Sequence, residues 1–172
     1  MRLGVDEAGV TELMGVTEHA RAMATAAAAL LLEFERETGL IRPLAAGEED
    51  PAVAAILGEV AAWTLSEMGR HTVPTIWRVL ARNAPYLEAT WRKDTALMAR
   101  GALAARDKRR VALGVAMATR ARYMIEYHSA VLRHAGDTDR DLLEILGVVD
   151  HYTTLNTVSE AMQIESDIRP PA

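Results

Sequence analysis

Residues 107–136 read DKRRVALGVAMATRARYMIEYHSAVLRHAG, and the spacing of their apolar side chains decides the fold class. Leu113, Met117, Ala121, Met124, His128 and Val131 or Leu132 recur at three- and four-residue intervals, which places them on one helix face. Asp107 can cap the start of such a helix and Gly136 can stop it. The spacing therefore predicts one continuous helix that turns His128 inward, in a chain that has no cysteine.

On its C-terminal side, Thr138 or Asp139 can cap a last long helix reaching about Glu165, with Val148, His151, Leu155, Val158 and Met162 on one stripe. Only GDTD separates the two helices, so they are expected to lie nearly antiparallel. His128 and His151 then come to similar depths, where the two imidazoles could share a cavity.

Helical punctuation also fills the first half of the chain. A first helix is expected over about Thr17 to Glu37, with Ala20, Met23, Ala27, Leu30 and Phe34 inward and Gly39 at its end. Asp50 followed by Pro51 is a helix start, because proline at the first position gives up a donor that would be unpaired anyway. Val53, Ile56, Leu57, Val60 and Thr64 form its stripe, which fades at Gly69. Pro74 opens a short helix through Ile76, Trp77 and Leu80. Pro85 opens another, running to about Arg106 with Leu87, Trp91, Leu97 and Met98 as anchors. Gly101, Gly114 and Gly147 stand alone inside helical patterns, where close helix approach would offset their cost. Nothing from residue 16 onward alternates long enough to make a strand, so the fold is all-α and residues 1–172 form a single domain.

Composition narrows the function classes. Half of the residues are hydrophobic but only 5% are aromatic, which suits close-packed helices of small side chains. The net charge of -5, with both signs scattered, offers no broad basic surface, so nucleic-acid binding is not expected. No run is long and apolar enough for a membrane span, and the first residues lack the basic and apolar regions of a signal peptide. A cytoplasmic location is the default expectation. The absence of cysteine excludes disulfides, thiolate nucleophiles and thiolate-ligated metals.

The 107–136 stretch resembles the carboxymuconolactone decarboxylase and alkylhydroperoxidase D-like family, whose redox members carry a motif of the form E…CxxCxxxH. The motif's histidine falls on His128, with Ala130 and Gly136 in the expected surroundings and Tyr123 between the two cysteine positions. Pro74, Leu80, Pro85, Leu87 and Trp91 resemble the family's entry helices, and His151, Tyr152 and Asn156 loosely match its closing helix. The resemblance covers about residues 72–165 and leaves 1–71 as an added N-terminal helical region. It implies an alkylhydroperoxidase D-like helical bundle and a homo-oligomer, trimeric or hexameric, with a dimer as the alternative.

The departures from the motif limit the chemistry. Ala121 and Met124 occupy the two cysteine positions, and Arg109 occupies that of the relay glutamate. A dithiol cycle needs one thiolate to attack and a second to resolve the oxidised sulfur, so a thiol peroxidase or disulfide reductase is excluded. What the resemblance leaves is non-redox acid–base chemistry at His128, with Tyr123 as the second catalytic candidate. Met124, Ala121, His151, Tyr127, Tyr152 and Asn156 are the candidates for lining a site for a small organic carboxylate, with Arg120 or Arg122 available as a fork for its charge.

Each of these residues also has a plainer reading. His128 could be a hydrogen-bonded structural histidine, the tyrosines and methionines could be packing, and Arg122 could simply pair with Glu126 four residues on. Lys108, Arg109 and Arg110 read as a solvated first turn, and His19, His71 and His134 as surface or capping residues. A metal at His128 and His151, completed by Glu126, Glu160 or Glu165, lacks ligand spacing on one helix face. Neither a metal nor a cofactor is expected. The competing function is a non-catalytic helical oligomer serving as a scaffold or interaction module.

Overall fold

A computed structural model describes residues 5–164, which form seven helices and no strand. These are α1 (Glu7–Ala29), α2 (Pro51–Met68), α3 (Thr75–Leu80), α4 (Ala84–Met98), α5 (Ala105–Ala118), α6 (Arg122–His134) and α7 (Asp139–Ala161). None of the described helices is long and apolar enough to cross a membrane.

Several starts lie where the sequence places them. The Asp50 carboxylate accepts from Ala52 and Val53 N–H at 2.9 Å ahead of Pro51, and the expected α2 stripe is buried. Thr138 and Asp141 form a reciprocal capping box at the start of α7. Gly136, at φ 90°, ends α6 with Asp137 N–H bonded to Leu132 O.

The expected single helix over 107–136 is instead two. Ala121 N–H bonds back to Ala116 O and Arg120 N–H to Met117 O, the paired closure of a Schellman stop, with Arg120 at φ 56°. The same closure with Leu31 at φ 54° ends α1 at Ala29, so the expected extension to Glu37 does not form. Asp6 starts that helix ten residues before the expected Thr17, accepting from Gly9 N–H at 2.8 Å. Neither left-handed position carries the glycine that would announce it.

α4 likewise stops at Met98 instead of Arg106. Glu12 reaches across from α1 and accepts from Ala102 and Leu103 N–H at 2.9 and 3.0 Å, holding residues 99–104 as a loop. Gly101 belongs to this loop and not to a helix; a Cβ there would overlap the Glu12 carboxylate.

The expected antiparallel pairing of the last two helices gives way to a different layout. α5 sits at the centre, against α1 and α6, and α7 packs across α5. Ile145 and Val149 lie over Gly114 at that crossing. Leu143, Leu146, Val148, Tyr152, Leu155 and Val158 are exposed, and no residue of α7 is fully buried. The core is formed mainly by α1, α2, α3 and α6, and α4 adds Leu87 and Trp91, the latter edge-on to Trp77 at 5.2 Å.

Candidate functional site

α6 buries Tyr123, Met124, Tyr127, His128, Val131 and Leu132, so the turn that breaks the long helix still leaves His128 pointing inward. Ala121, the N-cap of α6, is buried beside them. His128 meets three charged or ionisable side chains from other helices: His19 of α1, Asp94 of α4 and Arg109 of α5. All four are buried.

Asp94 is the hub. One of its oxygens lies 3.0 Å from His19 Nε2, and an ionised carboxylate can only accept there, so Nε2–H donates. Its other oxygen lies 3.8 Å from Arg109 Nη2. Burial works against the Asp94 charge, but the His19 hydrogen bond and the Arg109 charge outweigh it and hold the carboxyl below its usual range. The Arg109 guanidinium also covers the Trp63 ring, 4.8 Å from its centroid.

His128 responds in the opposite sense to an exposed histidine beside an acid. Burial, reinforced by the Arg109 charge, pushes its imidazole down to about 3 against the pull of Asp94. The ring is therefore neutral near pH 7. Its Nδ1 is shielded from solvent and has no hydrogen-bond partner, which sets it apart from a satisfied structural histidine. Trp77 Nε1 and Arg109 Nη1 are unpartnered in the same way. His19, Met23, Trp77, Asp94, Met124 and His128 border a cavity of about 10 Å³, room for roughly one water.

The other sequence candidates divide cleanly. Tyr127 stacks on Trp63 at 6.0 Å and meets His128 edge-on at 5.2 Å, and burial raises its hydroxyl well above the ordinary tyrosine range. Tyr123 accepts from Ile76 N–H at 3.1 Å, and burial raises its pKa too, so it is a poor proton donor where it stands. His151, Tyr152 and Asn156 are exposed on α7 and do not border the His128 cavity, so the two imidazoles share no site within one chain. The reason is the crossing of α7 over α5, which the short connection did not reveal. Arg122 pairs with Glu126 at 2.9 Å, the plain i, i+4 reading, and Arg120 sits in the exposed turn. Among the described residues no three His, Asp or Glu side chains gather as for a metal; Glu165 lies outside them.

Two residues of the cluster depart from the sequence expectation. His19 is not the expected surface or capping residue but continues the buried α1 row of Val16, Ala20 and Met23. Asp94 falls on the apolar row Leu87, Trp91, Met98 of α4, and a carboxylate at that spacing was the available signal. The basic run at the start of α5 is likewise not a solvated turn. Lys108 and Arg109 are buried, and Arg110 pairs with Asp137, whose side chain is fully covered.

Comparison with known proteins agrees with this fold. Residues 84–164 match the carboxymuconolactone decarboxylase family. The crystal structure of an alkylhydroperoxidase AhpD core from Rhodospirillum rubrum is 28% identical, with a TM-score of 0.67 over 76% of this chain and 95% of that one. No curated protein matched.

Proposed function

Since residues 84–164 match the carboxymuconolactone decarboxylase family, within a cysteine-free chain of alkylhydroperoxidase D-like fold, we propose that His128 serves a small polar ligand by acid–base chemistry without redox. One observation carries this reading: a fully buried imidazole whose Nδ1 has no partner, beside a paired His19–Asp94–Arg109 cluster. A ring held near pKa 3 does not store a proton at neutral pH. As it stands it is a weak base and a neutral hydrogen-bonding group, and an anionic ligand beside the ring would raise its proton affinity toward the range that a general base needs. Asp94 balances the Arg109 charge nearby. Ligands larger than water require the walls to yield, and Met23 and Met124 are the side chains best suited to it.

The chain is further proposed to work as a homo-oligomer, because α7 carries an apolar face that is exposed among the described residues. That face, together with the smallness of the cavity at His128, also favours the second reading, a non-catalytic oligomeric scaffold.

His128→Ala and His128→Gln separate the two. A set of small carboxylic acids is first screened for binding and turnover with the unaltered protein. On the first reading, conversion of any acid, and binding of any acid that shifts the His128 ring resonances of the unaltered protein, is lost in both variants while assembly and folding persist. Unchanged conversion in folded His128→Ala, or unchanged affinity for an acid that shifts those resonances, would sink it; the absence of any such acid would favour the scaffold.

A further inference from the structure

A second and larger cavity lies among residues that, apart from Tyr123, precede the 84–164 match. Residues 34–37, the end of α2 and the segment leading into α3 enclose a cleft of about 350 Å³ with Tyr123 on its floor. This is the lower end of the range for small-molecule sites. Phe34 stands edge-on to the Tyr123 ring at 5.6 Å, and Met68, Val73 and Pro74 complete an apolar wall.

The charged lining is arranged as pairs. The acids of the segment EFERE, residues 33–37, each hold one arginine: Glu33 with Arg36, Glu35 with Arg70, and Glu37 with Arg78. Each arginine bordering the cleft is therefore already matched by one acid, Arg36 by a Glu33 that stands outside the lining. Arg78 is the best placed of the three. Its Nε donates to Leu44 O at 2.9 Å and its side chain is only 23% exposed, whereas its partner Glu37 is 71% exposed. The guanidinium is thus fixed in place, and its carboxylate is the easily exchanged half of the pair. Glu35, at φ 58°, holds the segment in a left-handed turn alongside, and Thr75 Oγ1 donates to Arg36 O at 3.1 Å.

We propose that this cleft binds a small organic monoanion with a ring-sized apolar body. The anionic group takes the place of Glu37 on Arg78, with Arg70 beside it, and the body lies against Phe34, Val73 and Tyr123. The chain's own acids are then competitors of the ligand. The site is separate from His128 and does not depend on the function proposed for that residue.

The test uses the full chain with benzoate, benzyl alcohol and benzylamine, three probes of one body and different charge, titrated by ligand-observed NMR. Benzoate is expected to bind saturably and better than the other two. Arg78→Ala and Arg70→Ala should each weaken it, Arg78→Ala by about tenfold or more. Glu37→Gln, a change at an exposed side chain that leaves folding intact, should tighten it by removing the competitor. His128→Ala should leave benzoate affinity unchanged. No benzoate binding, equal or better binding of benzylamine, or indifference of the affinity to both Glu37→Gln and Arg70→Ala would overturn the proposal. So would loss of binding in His128→Ala with Arg78→Ala unaffected, since the anion would then sit at the buried imidazole.

Discussion

The first turn of α5 and the length of α7 invert the usual relation between residue type and burial. Lys108 is 2% exposed, while Leu143 on α7 is 65% exposed. Lys108 is buried because its ammonium donates to Leu97 O at 2.9 Å and Ala99 O at 2.7 Å and pairs with Glu12 at 3.0 Å. It closes the carbonyl end of α4 with a positive charge, where the helix dipole favours one. Arg109 and Arg110 find Asp94 and Asp137 in the same manner. α7 has the converse problem. Ile145 and Val149 lean on Gly114, but Leu143, Tyr152, Leu155 and Met162 stay exposed among the described residues. A charge enters the interior where fixed partners await it, and an apolar side chain stays outside where no surface is supplied.

Removing those partners' donor should have the largest effect. Lys108→Met keeps the apolar stem but takes the shared donor from the part-buried Leu97 and Ala99 carbonyls and from Glu12, and should cost about 2 kcal/mol in chemical denaturation. It should also change the acid response. Backbone hydrogen bonds from Leu103 and Ala102, then Lys108, hold Glu12 down to about 2. Its contribution is complete above its unfolded value of 4.5 and is lost as the pH falls toward 2. A variant lacking Lys108 should lose less stability across that window. An unchanged midpoint for Lys108→Met would mean that the buried ammonium is no more than tolerated.

At the other end of α5, Arg120→Gly relieves a left-handed residue and should raise stability by about 0.5–1 kcal/mol, read from the same denaturation curves. A decrease would show that the turn draws on the Arg120 side chain itself. The smallest effect on the fold is expected on α7. Paired Tyr152→Glu and Leu155→Glu substitutions should leave the unfolding free energy of the monomer within about 0.5 kcal/mol. They should nonetheless lower the mass found by sedimentation, if that face joins copies of the chain. An unaltered mass would leave the apolar stripe of α7 without a partner.

The same contrast explains how much of the molecule was legible. Helix ends announced by their own chemistry follow from sequence: Asp50 with Pro51, the Thr138 cap, and Gly136. Stops made by Leu31 and Arg120 in a glycine-like conformation do not, because only the closed turn shows that those residues accept positive φ. The inward face of α6, and with it His128, followed from helical spacing alone. Its surroundings did not. Asp94 and His19 approach from helices far away in sequence, and the burial of Arg109 depends on both Asp94 and Trp63. His151, Tyr152 and Asn156 were grouped with His128 by a short connection that fixes sequence order but not which helix α7 crosses.

The account rests most heavily on the charge state of His128. The unfolded chain takes up a proton on this imidazole near 6.5, the folded chain only near 3, so folding opposes protonation throughout that window. Stability from this group is complete above 6.5 and declines as the pH falls through it, by up to about 1.4 kcal/mol per pH unit. An NMR titration following the His128 ring resonances in the folded protein reads this directly. The account predicts that they stay at neutral-imidazole positions from pH 7.5 down to the onset of acid unfolding; a titration midpoint near 6.5 in the folded state would contradict it.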